Sequence, residues 1–323
     1  MSSKRIAAFA AAMLGLLSHG AAAQTYPTRP IKMVVGFAPG GPSDVMARLI
    51  GQHMSAALGE PVVVENRPGA GGTIGGRIVS ESEPDGYTLL LGNTSTLIVS
   101  PLTYESIGYD PVKGFTPIAL LGTTSDILIA NPKFPPNSIG ELIAYAKARP
   151  STLNYSSAGI GTPPHIIGEM FKQRAGLEIT HVPYKGGGPA IQAVIAGEVQ
   201  FCFENPATAM PQVKQGTVKA LAVTSEKRSP KLPNVPTMIE SGLPDFAFLS
   251  FTGVIGPAGL PAPIVARLNG VINEALKSPE LARTLENLAV DVKAETPAAF
   301  GAFLSRETAR LAPVIKAAVV KGE

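Results

Sequence analysis

Two glycine-rich loops hold the residues with the most to offer chemically. Phe37-Ala38-Pro39-Gly40-Gly41-Pro42-Ser43-Asp44 follows the apolar run Ile31–Phe37 and opens the helical run Val45–Leu58. Ser157-Ala158-Gly159-Ile160-Gly161-Thr162 follows Asn154-Tyr155-Ser156 and opens a helix at Pro163-Pro164-His165. A helix start leaves backbone N–H groups without partners, and its dipole is positive there. Glycine lets the main chain approach a ligand closely. Two such mouths facing each other would grip an anion, most simply a carboxylate, without lysine or arginine.

Side chains at these loops add options. Ser43 and Asp44 suit N-capping and could also select a second polar group of the ligand. Asn93 and Thr94, in Gly92-Asn93-Thr94-Ser95-Thr96, follow a strand and belong on the same edge as the first loop. Glu204-Asn205-Pro206 ends a strand; Glu204 faces either the cleft or solvent, because burying it unpaired is costly. Lys185-Gly186-Gly187-Gly188-Pro189 is a third glycine-rich helix entry, with proline suited to the first helical position. Asn66-Arg67-Pro68-Gly69-Ala70-Gly71-Gly72 reads as a structural turn beside the first loop.

Other chemistries fare worse. Ser157 and His165 would serve an exported hydrolase, the alternative to binding. The G-x-S-x-G elbow is absent, however, and no acid nearby in sequence orients the imidazole. Neither Gly69–Ile74 nor Gly159–Pro164 matches G-x-G-x-x-G, and no G-x-x-x-x-G-K-[ST] run occurs. No metal-ligand spacing appears among the histidines, and Cys202, the sole cysteine, reads as a small buried hydrophobe. The expectation is no catalytic residue, no metal and no cofactor.

The elements that carry these loops alternate. Ile31–Phe37, Val62–Glu65 and Thr88–Leu91 read as strands, separated by helices at Val45–Leu58 and Thr73–Ser82. This pattern predicts a doubly wound, parallel α/β sheet with ligands beyond the carboxyl ends of the strands. A second series runs from Asp126–Ala130 through helices at Ser138–Ala148, Pro164–Arg174 and Pro189–Ala196 to the strands Gln200–Phe203 and Ala220–Thr224. The tail from Pro261 to Lys321 is mostly helical and needs a sheet to pack on. The simplest chain path crosses to a second lobe near Gly122–Ser125 and returns near Ser250–Val254. Two crossover segments then make a hinge with a cleft between lobes. The expected domains are residues 24–123 with 250–323, and residues 124–249.

Lys4 and Arg5, the apolar run Ile6–Leu17 and Ala21-Ala22-Ala23 read as a secretory signal cleaved after Ala23. The apolar run is about a dozen residues, too short for the roughly 20 a membrane span needs. The mature chain, without Lys4 and Arg5, carries 25 basic and 24 acidic residues, a net of +1. That balance, with no basic stripe, argues against nucleic acid. A soluble periplasmic monomer is expected.

Taken in order, Tyr26-Pro27-Thr28-Arg29-Pro30-Ile31, Phe37–Asp44, Asn66–Gly72, Asp85-Gly86-Tyr87-Thr88-Leu89-Leu90, Val182-Pro183-Tyr184-Lys185-Gly186, Leu221–Ser225 and Pro257-Ala258-Gly259 resemble the Bug-type extracytoplasmic solute receptors of tripartite tricarboxylate transport systems. The resemblance implies a type II periplasmic-binding-protein fold that closes on a small organic acid. It implies a carboxylate held, with bridging waters, by Phe37–Asp44 and Ser156–Thr162. It also implies a membrane transporter as partner, with a sensor kinase as a second possible reader of the closed state. Two departures fall near the expected cleft. Phe248-Leu249-Ser250-Phe251 stands where the family often has tryptophan, and Glu204-Asn205 where Asp-Asn is common.

Overall fold

The computed structural model describes residues 26–320, so the leader and its cleavage point lie outside the described residues. The chain begins with β1 (Ile31–Val35), α1 (Pro42–Leu58), β2 (Val62–Asn66), α2 (Thr73–Ser80) and β3 (Thr88–Asn93). A π-helical turn at Ser95–Val99 runs into the short α3 (Ser100–Thr103), and β4 (Phe115–Ser125) follows. Next come β5 (Ile127–Ala130), α4 (Ile139–Lys147), β6 (Asn154–Ser157), α5 (Pro163–Ala175), β7 (Thr180–Pro183), α6 (Gly187–Ala196), β8 (Phe201–Glu204), α7 (Pro206–Gln215) and β9 (Lys219–Val223). The chain then returns through β10 (Leu249–Pro257) to α8 (Ala262–Ala275), α9 (Pro279–Asn287), β11 (Asp291–Val292) and α10 (Pro297–Val320).

Two sheets result, one per lobe. The first has the order β11-β4-β10-β3-β1-β2 and the second β7-β6-β8-β5-β9. Neither is purely parallel, which corrects the sequence expectation. β10 runs antiparallel to both β3 and β4, and β5 antiparallel to both β8 and β9. The reason is the chain path. Each of these strands enters its sheet from the opposite lobe, so it points against strands fed by local β–helix–β units. β4 and β10 pair from Phe115↔Pro257 to Ser125↔Leu249, forming a two-stranded ribbon that leads from one sheet to the other.

Both faces of the first sheet are buried, as β–helix–β connections require. Ile31, Met33 and Val35 join Met46, Ile50 and Met54 of α1 in one cluster, while Val34 and Leu90 belong to another. That second cluster continues into the other lobe through Phe171, Phe203 and Phe246, with Phe300 and Leu311 of α10 packed in it. Arg310 of α10 also donates to the Ala247 carbonyl just before β10. The C-terminal helix is therefore structural mortar for both lobes.

Candidate functional site

The first glycine loop is held by charge. Asp44 sits in the first turn of α1, only 3% exposed. Its Oδ2 accepts from the Gly40 N–H and from Arg48 Nε, each at 2.9 Å, and its Oδ1 from Asn66 Nδ2 at 2.9 Å. Asn66 Nδ2 also donates to the Phe37 carbonyl at 3.0 Å. Arg48 is the main reason the Asp44 carboxyl is held down at about 2. The 66–72 turn backs this loop so tightly that a Cβ on Gly36 would lie 2.7 Å from Gly72 Cα. Neither Ser43 nor Asp44 is the N-cap; that position falls to Gly41, with Pro42 first in the helix. Asp44 instead reaches back to Gly40, which has φ +83°. Among the described residues, nothing accepts from the N–H groups of Gly41, Ser43 and Asp44.

The second loop is held by neutral groups. Ser157 is fully buried, and its Oγ lies 2.7 Å from His181 Nε2. The same Oγ accepts from the Gly159 N–H at 3.1 Å and donates to the Gly159 carbonyl at 3.1 Å. All three contacts are met at once when His181 carries its proton on Nε2 and donates it to the serine. Burial, followed by the neighbouring His165, pushes His181 down to about 3. His165 Nδ1 accepts from the Gly161 N–H at 3.2 Å, and burial lowers this imidazole too. The two rings lie 4.2 Å apart, and His181 stacks on Tyr155 at 4.9 Å. The Ser157–His165 pairing expected of a hydrolase is thus absent. Ser157 pairs with His181 because the β6–β7 register sets Tyr155 beside His181, and its hydroxyl accepts from the imidazole rather than losing a proton to it.

Between the loops lies a cavity of about 160 Å³. Three helices aim their N-termini at it: α1 through Pro42 and Ser43, α5 through Pro163, and α7 through Asn205 and Ala207. The hinge strands supply Thr124 and Ser250–Thr252 as its floor, and among the described residues no lysine, arginine, histidine or acidic side chain lines it. Three helix dipoles directed at a place without side-chain charge make it electropositive. Beside the cavity the lobes meet, since a Cβ on Gly161 would lie 3.9 Å from Thr103 Oγ1.

The expected site residues divide. Ser43, Asn93, Thr94 and Asn205 line the cavity. Asn93 Nδ2 lies 3.4 Å from Ser43 Oγ, while Thr94 Oγ1 accepts from the Phe251 N–H at 2.8 Å. Asn205 caps α7, its side-chain oxygen accepting from the Ala207 N–H. Phe37, Ala38, Pro39, Gly40, Gly41 and Asp44 shape the first loop without bordering the cavity, and Ser157, Ala158, Gly159, Gly161, Thr162 and His165 do the same for the second. Glu204 is buried at 4% exposure. Its Oε1 accepts from the Asn205 N–H and Thr208 Oγ1, while Oε2 has no partner among the described residues. Burial raises both this carboxyl and that of Asp126, the latter to about 8. Gly187, at the head of α6, leaves the room: a Cβ there would lie 2.7 Å from Glu204 Oε1. Pro189 is the third residue of α6 rather than the first.

Sequence reasoning missed Met46, Leu288 and Val290 as cavity walls, and α7 altogether, while Phe251 lines the cavity as its place near the expected cleft suggested. A signal for α7 was available: Asn205-Pro206 is an N-cap followed by proline at the first helical position. Leu288 and Val290 arrive from the C-terminal tail, for which no local pattern points to the cleft.

Comparison with known proteins shows the family. The profile of the tripartite tricarboxylate transporter family receptors matches residues 46–320. Protein BugT of Bordetella pertussis is 38% identical over 295 residues, covering 91% of this chain and 90% of BugT. Among solved structures, Rhodopseudomonas palustris MatC, with bound malate, is 35% identical with a TM-score of 0.77, covering 90% of this chain and all of MatC (100%). R. palustris Rpa4515, with adipate, is 34% identical with a TM-score of 0.79, covering 91% of this chain and 98% of its own. The chain belongs to the tripartite tricarboxylate transporter receptor family: it is a periplasmic solute-binding protein of two-lobed α/β fold, and not an enzyme.

Proposed function

We propose that this receptor captures a small organic acid in the 160 Å³ cavity and presents it, lobes closed, to a membrane transporter. The observation that carries this reading is the convergence of three helix N-termini on a cavity with no charged side chain. An anion there is stabilised by the free Ser43 N–H and by the side chains of Ser43, Asn93 and Asn205. A charge-assisted hydrogen bond contributes about 1.5–3 kcal/mol. Micromolar binding needs about 8 kcal/mol. Two or three such bonds, with burial of the ligand's remainder, reach that range. A cavity of this size favours short acids over bulky ones. Malate in MatC and adipate in Rpa4515 support the same class.

The closing units of this reading are residues 24–123 with 250–323, and residues 124–249, moving about the β4–β10 ribbon. Export uses the leader, cut after Ala23. A sensor kinase is the second candidate for recognising the closed state. The test is a thermal-shift screen of small carboxylic acids on the mature protein. A true ligand at about 100 times its Kd should add about 2.7 kcal/mol of stability. Asn205→Ala should abolish most of that shift. If no acid stabilises the protein, the reading fails.

A further inference from the structure

The ligand cavity has a larger neighbour. A second cavity of about 780 Å³ lies against the opposite face of the hinge ribbon. Along β4 the residues alternate between the two, with Thr124 toward the small cavity and Thr123 and Ser125 toward the large one, while on β10 Leu249 borders the large cavity and Ser250–Thr252 the small one. The same alternation marks the edge where they approach each other. Asn205 and Ala207 face inward with Pro206 outward, and Leu288 faces inward with Ala289 outward. Val290 alone among the described residues borders both.

The position of Val290 is built in. Its N–H donates to the Leu285 carbonyl at 2.8 Å, and Asp291 pairs with Thr123 of β4. Val290 and Asp291 lie directly over Gly122, where a Cβ would sit 2.5 Å from the Asp291 carbonyl oxygen. A side chain at position 122 would therefore push this segment off the hinge. Glycine is required by close approach and not by its own backbone angle.

We propose that Val290 is the partition that limits ligand length, separating a chamber fitted to short acids from a space about five times larger. The proposal rests on the small cavity being the ligand site. An acid whose head group lies at the helix ends directs its tail toward Leu288 and Val290. A longer tail meets the Val290 methyls and stops.

The test is calorimetric titration of the mature protein with unbranched mono- and dicarboxylates of increasing length. Wild type should lose at least about tenfold in affinity for each methylene past the length that fills the chamber. Val290→Ala should recover about tenfold or more for the next longer homologues relative to the short acids. Val290→Ile, which adds one methylene to the wall, should move the cut-off to shorter acids, so the test survives if the alanine variant folds poorly. Val290→Thr keeps the volume and should keep the wild-type profile. Unchanged length profiles in both Val290→Ala and Val290→Ile, with short acids still bound, would overturn the partition alone. Failure of every acid to bind wild type would overturn it together with the reading beneath it.

Discussion

The two glycine loops look like copies in sequence, yet they are stiffened by opposite means. In the first, a carboxylate, a guanidinium and an amide tie Asp44, Arg48 and Asn66 to the Gly40 N–H and the Phe37 carbonyl. In the second, a hydroxyl and two uncharged imidazoles tie Ser157, His181 and His165 to Gly159 and Gly161. The difference follows from what lies beneath. Arg48 keeps over half its side chain in water, so the Asp44 ion pair is not desolvated on both sides. His181 lies on the Tyr155 ring, itself stacked on Phe201, and His165 packs on His181, where charge would be costly. A glycine-rich helix entry can thus be held rigid by either chemistry.

Removing the floor of the second loop should do the most damage. Tyr155 is fully buried, stacks on His181 and donates to Glu169 Oε1 at 2.9 Å. Tyr155→Ala should cost about 3–5 kcal/mol of stability, measured by urea denaturation. A loss below about 1 kcal/mol would mean the loop does not depend on that stack. Asp44→Ala strikes the first loop and should cost about 1–3 kcal/mol, since three donors lose their acceptor. Asp44→Asn should recover part of the loss by keeping one oxygen. If the two variants behave alike, charge is not what holds this loop.

Acid separates the loops more finely. His181 has a folded pKa of about 3 against 6.5 ordinarily, so the unfolded chain takes up that proton first. Its contribution is whole above pH 6.5 and is lost progressively as pH falls toward 3. Asp44, at about 2 against 3.8, keeps its contribution until pH falls below 3.8 and loses it toward 2. The stability difference between wild type and His181→Gln should therefore shrink as pH falls from about 7 to about 4.5, whereas that between wild type and Asp44→Asn should not. An unaltered slope in His181→Gln would show that this imidazole is not buried neutral.

Much of this was legible in the chain because it is local. Strands β1–β3, both loops and the helices they open follow from apolar runs, glycine and proline. Contacts set by sheet register were not legible. Ser157 and His181 are brought together by β6–β7 pairing, and the nearer His165 was the natural but wrong partner. α7 was hidden by its composition: Pro206-Ala207-Thr208-Ala209-Met210-Pro211 has two prolines and no apolar stripe, and it forms because its cap and the neighbouring core compensate. Val290 reaches the cleft through β11, a two-residue strand too short to announce itself.

The strand order has a consequence for how the molecule comes into being. In the first sheet β10 lies between β3 and β4, although every strand of the other lobe precedes it in the chain. The amino-terminal half emerging from a ribosome or a translocation pore has no partner for the inner edges of β3 and β4 until residue 249 has followed. The second sheet, drawn from the contiguous stretch 127–223, is free to assemble earlier. The inner edges of β3 and β4 are thus closed by a strand made after every strand of the second sheet.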